Sequence, residues 1–244
     1  MRRIWIYIFS ILFVAFISYL AILAKKYEPK YRVENLVIIN NHIIPTEVLL
    51  EFIKVTDKET LKGLTADVIL DRIEKYPYVK KVEGVFVDTI TYKVMIEEVT
   101  PFFMAVTNLG KFIVTRERKI LPEDTRLRIL DLPVFTVSRN LDRADLNIDN
   151  KIFSTSFKSF ENIYEVDRAL FGMISEMNID DQNNLSLYLS QPRGKIIAGN
   201  ELDKLRSLHL SEFWKQVILN SSDEYEYIDL RFLDQIVVKK LNNS

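Results

Sequence analysis

Two histidines, His42 and His209, are the only imidazoles in this 244-residue chain, and cysteine is absent. A metal site needs several ligands at short, regular spacing. His42 stands in a turn signal beside Asn40-Asn41, and His209 lies inside a helical stretch with no partner at ligand spacing. Packing or surface roles are therefore expected for both, and no metal. The pair Glu97-Glu98 resembles the two carboxylates of acid–base catalysis only on paper. Neighbours on a strand point to opposite faces and do not flank one bond. The chain holds no G-x-S-x-G, H-E-x-x-H or Walker loop, and its six glycines build no phosphate cradle. No catalytic residue, cofactor or small-molecule substrate is expected, and the chain reads as a non-enzyme. Its formal net charge of −1 offers no basic field for nucleic acid.

The chemistry that remains is that of the backbone. Tyr225 to Leu230 and Gln235 to Lys240 read as two closing strands, joined through Leu233-Asp234. A strand at the chain end tends to lie at a sheet edge. There its unpaired N–H and C=O groups accept another strand. Alternate residues of the last strand must face the core, so either Val237 or its two neighbours point inward. Lys80-Lys81 and Lys239-Lys240 read as solvated strand ends.

Two groups of elements must carry this edge. In the first, Val33 to Ile39 is strand-like and Pro45 opens a helix running through Ile53. A polar loop spans Thr56 to Gly63. A second helix carries Val68, Ile69, Arg72 and Ile73 and ends at Tyr76-Pro77. Val79 to Val87 and the alternating Tyr92 to Ile96 are strands around Asp88-Thr89. The second group is richer in strands. Phe102 to Val106 and Lys111 to Thr115 flank the turn Asn108-Leu109-Gly110, and Ile120 to Pro122 and Leu132 to Phe135 are extended. Asp167 to Met177 reads as a helix, Leu185 to Leu189 as a strand, and Gln191 to Gly194 as a turn. Lys195 to Ala198 is a strand, followed by a helix from Glu201 to about Leu219. Strand and loop signals compete over residues 136–165.

Ahead of both groups stands an uncharged apolar run, Ile4 to Ala24, without Pro or Gly. At about 1.5 Å per residue, a helix of this length spans roughly 30 Å, the hydrocarbon thickness of a bilayer. A cleaved signal has a shorter core of about 7–15 residues and a small-residue cleavage site. Ile22-Leu23-Ala24 is a poor match to such a site, so a retained single-pass anchor is expected. Arg2 and Arg3 precede the run and Lys25, Lys26, Lys30 and Arg32 follow it, so charge alone leaves its direction open.

In order along the chain, these pieces resemble the FtsQ/DivIB family of bacterial cell-division proteins. Tyr76-Pro77-Tyr78-Val79-Lys80-Lys81-Val82 is similar to the helix end and second strand of that family's POTRA domain, and Glu98-Val99-Thr100-Pro101 to its closing Glu-x-x-Pro. Leu132-Pro133-Val134 resembles its Leu-Pro-hydrophobic segment. Ile228-Asp229-Leu230-Arg231-Phe232, with Ile236-Val237-Val238, resembles its Asp-Leu-Arg-aromatic ending. Thr115 and Arg118 stand where the family often has Asp and Gly, and Asp234 or Gln235 replaces a turn Gly.

The resemblance implies an α+β fold with a single N-terminal transmembrane helix. The segments would be a cytoplasmic tail (1–3), the membrane helix (4–24), a linker (25–30), a POTRA-like β-α-α-β-β domain (31–100), a strand-rich β domain with helices (101–241) and a tail (242–244). It implies a cytoplasmic N-terminus and an extracytoplasmic body at the plasma (inner) membrane, gathered at the division septum. The implied role is a divisome scaffold linking early and late division proteins. An FtsB/FtsL-like partner would bind through Phe232, Asp234, Gln235, Ile236, Val237, Val238, Lys239 and Lys240, and other divisome components through the POTRA-like domain. Two alternatives stand beside this. A membrane-tethered envelope hydrolase or glycan-processing enzyme would need a deep pocket with converging carboxylates. A POTRA-bearing secretion protein would need a long transmembrane barrel, for which the chain has no room.

Overall fold

The computed structural model describes residues 12–20, 31–190, 194–220, 224–232 and 235–241. Of the apolar run, residues 12–20 form a helix whose residues are all exposed. The rest of the run, the 1–3 tail, the 25–30 linker and the 242–244 tail lie outside the described residues. No helix among the described residues is long and apolar enough to cross a membrane. The chain divides into two compact units. Unit 1 ends at Glu97; unit 2 begins at Glu98 and also takes in His42–Pro45.

Unit 1 holds a three-stranded sheet of order β1-β3-β2: β1 is Asn35–Ile39, β2 Val79–Phe86 and β3 Thr91–Glu98. Strand β1 runs parallel to β3, with Leu36 opposite Tyr92 and Ile38 opposite Val94. Tyr92, Val94 and Ile96 are buried along one face of β3, as their alternation demands. Three helices separate β1 from β2: α1 (Thr46–Phe52), α2 (Lys58–Lys62) and α3 (Ala66–Glu74). The expected polar loop 56–63 thus contains a helix. Asp57 starts it by accepting the Thr60 N–H, and Leu61 buries its one apolar side chain. Thr65 caps α3, which buries Ile69 and Ile73, and the Arg72 guanidinium donates to the Ile53 carbonyl that ends the first helical turn region. Gly84 is required by packing: a Cβ there would lie 2.1 Å from the Tyr92 hydroxyl and 2.4 Å from its ring.

Unit 2 is built on a nine-stranded sheet of order β12-β11-β10-β9-β8-β7-β4-β5-β6. The strands are β4 (Pro101–Thr107), β5 (Gly110–Thr115), β6 (Ile120–Pro122), β7 (Val134–Val137), β8 (Ile174–Ile179), β9 (Leu185–Leu189), β10 (Lys195–Gly199), β11 (Tyr225–Asp229) and β12 (Val237–Lys240). Helices α4 (Lys151–Val166), α5 (Arg168–Gly172) and α6 (Lys204–Gln216) join its core. The registers align one apolar row across the sheet: Phe112, Ala105, Phe135, Met177, Leu187, Ile196, Ile228 and Val238. One residue further along, the row on the opposite face runs Lys111, Val106, Thr136, Asn178, Ser186, Ile197, Asp229 and Val237. The first row through Ile228 packs into the core with the helices; the second mixes Val106, Ile197 and Val237 with polar residues and carries its own hydrogen bonds, such as Asn178 to Thr136.

One open stretch in this unit is resolved and two expectations are corrected. The unsettled stretch 136–165 holds the chain's longest described helix, α4, capped by Asn150. Ile152, Phe153, Phe157, Phe160 and Ile163 read locally as strand formers, but their spacing sets them on one helix face. The expected helix 167–177 stops at Gly172, and Ile174 onward is the central strand β8, parallel to β7. Backbone pairing between two neighbours overrides the helical spacing of that segment. The expected helix 201–219 begins only at Lys204, after its cap Asp203, and gives way to a 3-10 turn at Ile218.

Glu98, the first residue of the Glu-x-x-Pro string, has a clear task. Its carboxylate accepts the N–H groups of His42, Ile43 and Ile44 at 2.8–3.1 Å, and the Arg128 N–H donates to the Ile43 carbonyl. Asp167 has another. It caps α5 by accepting the Ala169 and Leu170 N–H groups, and it receives the Ser211 hydroxyl and the Lys215 ammonium from α6. Burial pushes its carboxyl up, but the Leu170, Ser211 and Lys215 hydrogen bonds win and hold it at about 2, against 3.8 unperturbed.

A carboxyl depressed in the folded state stabilises fully above its unfolded pKa, and that contribution fades as pH falls toward the folded value. Asp167→Asn should therefore cost about 2 kcal/mol at neutral pH, with the gap to the parent closing between about pH 4 and pH 2. Urea unfolding at stepped pH measures this; a gap constant with pH would refute the assignment. In unit 1, Gly84→Ala should destabilise by about 1–3 kcal/mol through overpacking against Tyr92. Gly172→Ala, whose Cβ would meet nothing within 4 Å, should be near neutral. Equal thermal shifts for the two would show that the Tyr92 ring is not seated on Gly84.

Candidate partner-binding edge

Strand β12 ends the sheet, and among the described residues it has a strand partner on one side only, β11. The two ends of the sheet differ in kind. At the far end, β6 is three residues long and closes on Pro122, which has no N–H to offer. At the near end, β12 is a β-branched and cationic strand, Val-Val-Lys-Lys.

What positions β12 is the turn-off after β11. Asp229 is buried, and its carboxylate accepts the Arg231 backbone N–H and both sides of the Arg231 guanidinium fork at 2.6–3.1 Å. The Arg231 guanidinium holds the Asp229 carboxyl below its ordinary value, against the upward push of burial. The Leu230 N–H reaches back to the Ile197 carbonyl on β10. The Arg231 stem then lies over Gly199, whose φ is +84° and whose added Cβ would stand 3.3 Å from Arg231 Cγ. The Asp-Leu-Arg string is thus a clamp that ends β11, with Gly199 as its seat.

The expected binding residues fall into three places. Val237 to Lys240 form β12 itself, while Gln235 and Ile236 precede it. Phe232 is exposed in a bend beyond the clamp, and Asp234, with the joining turn Leu233-Asp234, lies outside the described residues. Of the two ways β12 could face, Val238 lies on the core side, opposite Ile228, and Ile236 packs against the core; Val237 lies on the other face opposite buried Asp229 and is itself partly covered. Val238 is therefore the last member of the buried apolar row, yet it is 38% exposed, with no further strand beside it among the described residues. Lys239 pairs with Glu226 across the strand, a solvent-exposed pair that water screens.

Beside this edge runs a groove of about 280 Å³ lined by His209, Glu212, Phe213, Gln216 and Val217 of α6 and its C-terminal end, with Gln235 and Ile236. These α6 residues were not anticipated. Their signal was the spacing His209, Phe213 and Val217, one side of a helix whose buried face is Ser207, Leu210, Ser211 and Trp214.

Unit 1 carries a larger groove, about 550 Å³, lined in part by Tyr31, Arg32, Glu34, Lys62, Asp67 and Phe86. Glu34 and Asp67 stand there among cations, and Lys62 is already paired with Glu59 at 3.0 Å. Among the described residues no group of His, Asp or Glu has the arrangement of a metal site. His42 offers its backbone N–H to Glu98, and His209 lines the groove beside β12.

No protein-family model matches this chain, and no curated protein matches it. Among solved structures, the major extracytoplasmic domain of the trans isomer of the bacterial cell division protein DivIB from Geobacillus stearothermophilus is similar, at 14% identity. The match covers 52% of this chain and 99% of that one, with a TM-score of 0.34.

The clamp yields a direct test. Gly199→Ala forces a side chain into left-handed backbone and against Arg231, so it should cost about 1–2 kcal/mol and loosen β11 from β12. Amide exchange should quicken at Val237–Lys240 first. Unchanged exchange there would show that β12 is placed without the clamp.

Proposed function

We propose that this protein is a membrane-anchored, extracytoplasmic scaffold of bacterial cell division. In this proposal the helix within residues 4–24 holds it in the plasma membrane, N-terminus inside, with residues 31–100 as a POTRA-like domain and 101–241 as the β domain. It gathers at the septum, and β12 receives an extended segment of an FtsB/FtsL-like partner while the POTRA-like domain meets other divisome components. The ordered resemblance of its sequence motifs supports the division role. The observation that carries the binding mode is Val238: the sheet's buried apolar row ends on a half-exposed residue at a one-sided strand. An incoming strand with an apolar residue at that position extends the row and covers Ile236 and the α6 groove.

Along an edge strand, successive N–H groups point alternately to the neighbour and outward. One of Val237→Pro and Val238→Pro therefore strikes the β11 ladder, and the other strikes only the free edge. Strand addition predicts that one of the two keeps the parent's thermal unfolding yet loses the FtsB-like partner in a pull-down. If both proline variants fold and bind as the parent does, the binding mode is wrong. A fluorescent fusion that fails to gather at midcell during constriction would remove the division role.

A further inference from the structure

The end of unit 1 where the chain enters carries an unusual concentration of exposed apolar side chains. Tyr31 is 54% exposed, Val87 64% and Ile90 40%. They form one patch. The Arg32 N–H donates to the Thr89 carbonyl and the Glu34 N–H to the Ile90 carbonyl, so the entering chain is bonded to the β2–β3 turn. The Tyr31 ring lies 4.8 Å from Phe86, the residue before that turn. The acids of this end keep their charge, and the hydrogen bonds that hold Asp88 favour its ionised form. Asp88 accepts the N–H groups of Ile90 and Thr91, and Glu34 lies in the field of Lys62. Arg32 is exposed and makes no ion pair among the described residues.

We infer that this patch rests on the anionic bilayer surface from which the chain emerges. The inference rests on the reading of residues 4–24 as an anchor. From Ala24 to Tyr31 the chain reaches at most about 25 Å, so the end bearing Tyr31 is confined near the lipid headgroups. Segment 25–32 carries Lys25, Lys26, Lys30 and Arg32 against the single acid Glu28. Such a basic stretch is drawn to a negative leaflet and falls away beyond a Debye length. A tyrosine and two branched aliphatic side chains suit the headgroup boundary. The bilayer would cover the exposed parts of Val87 and Ile90. It would also orient the unit, with its β1 exit at Ile39 pointing away from the membrane.

The absence of cysteine makes the test direct. Single cysteines at Val87, Ile90, Lys81 and Val14 of the full chain are labelled with an environment-sensitive fluorophore. The protein is then reconstituted in phosphatidylcholine vesicles with or without phosphatidylglycerol. Lys81 reports from the other end of strand β2, and Val14 from the anchor. The expected result is blue-shifted emission at Val87 and Ile90, quenched by headgroup-nitroxide lipid in the anionic vesicles, with Lys81 unquenched. Arg32→Glu or high salt should reduce that quenching. Water-like, unquenched labels at Val87 and Ile90 beside a quenched label at Val14 overturn the docking while leaving the anchor. An unquenched label at Val14 overturns the anchor, and the docking with it.

Discussion

The sealing of one face of a nine-stranded sheet by phenylalanine governs unit 2. Phe153, Phe157 and Phe160 descend from α4 onto Phe102, Phe103 and Phe135 of the sheet, with ring centroids 4.7–6.4 Å apart. Offset and edge-on contacts at such distances add to what burial already supplies, about 1.5–3 kcal/mol for each fully buried ring. Phe171 of α5 stacks on Phe102 at 5.4 Å, and Arg116 lies 3.8 Å over Tyr164 at the rim. Remove α4, and Phe102, Phe103 and Phe135 lose the rings that cover them. The helix and the sheet stabilise each other, and neither has a reason to form alone.

That seal stops short of the sheet's last strand. The helical layer covers the row through Ile228, and α6 leaves a groove where a further apolar residue would lie. The exposed end of the row is a consequence of layer geometry: a sheet of this width outruns the helices packed on it. The molecule answers this differently at its two ends. Proline and shortness blunt β6, while β12 keeps its pairing groups and guards them only with lysine charge.

Much of the fold is legible from local chemistry. The Asn108-Leu109-Gly110 turn gives the β4–β5 hairpin, with Gly110 at φ +129°, and the alternation of β3 gives its buried face. The helix within 58–62 was hidden because its five residues bury a single leucine, too few to set a period. Helix α4 was hidden for the opposite reason, since aromatic and β-branched residues at helical spacing score as strand when read by type. The segment after Gly172 was read as helix because Met173, Ile174 and Met177 fit that spacing, and only a parallel partner, β7, makes Ile174 onward a strand.

Among the candidate binding residues, the sequence by itself determined that a β-branched strand closes the described chain after an Asp-Leu-Arg string. Side-chain type and alternation are local properties, so a sequence carries them openly. Tertiary structure decided the rest. Val238 rather than Val237 lies on the core side because register with Ile228 settles it, and register is set across strands. It also decided that β12 is terminal and that His209, Phe213 and Val217 flank it, since an edge and a groove exist only once nine strands and their helices have found their order.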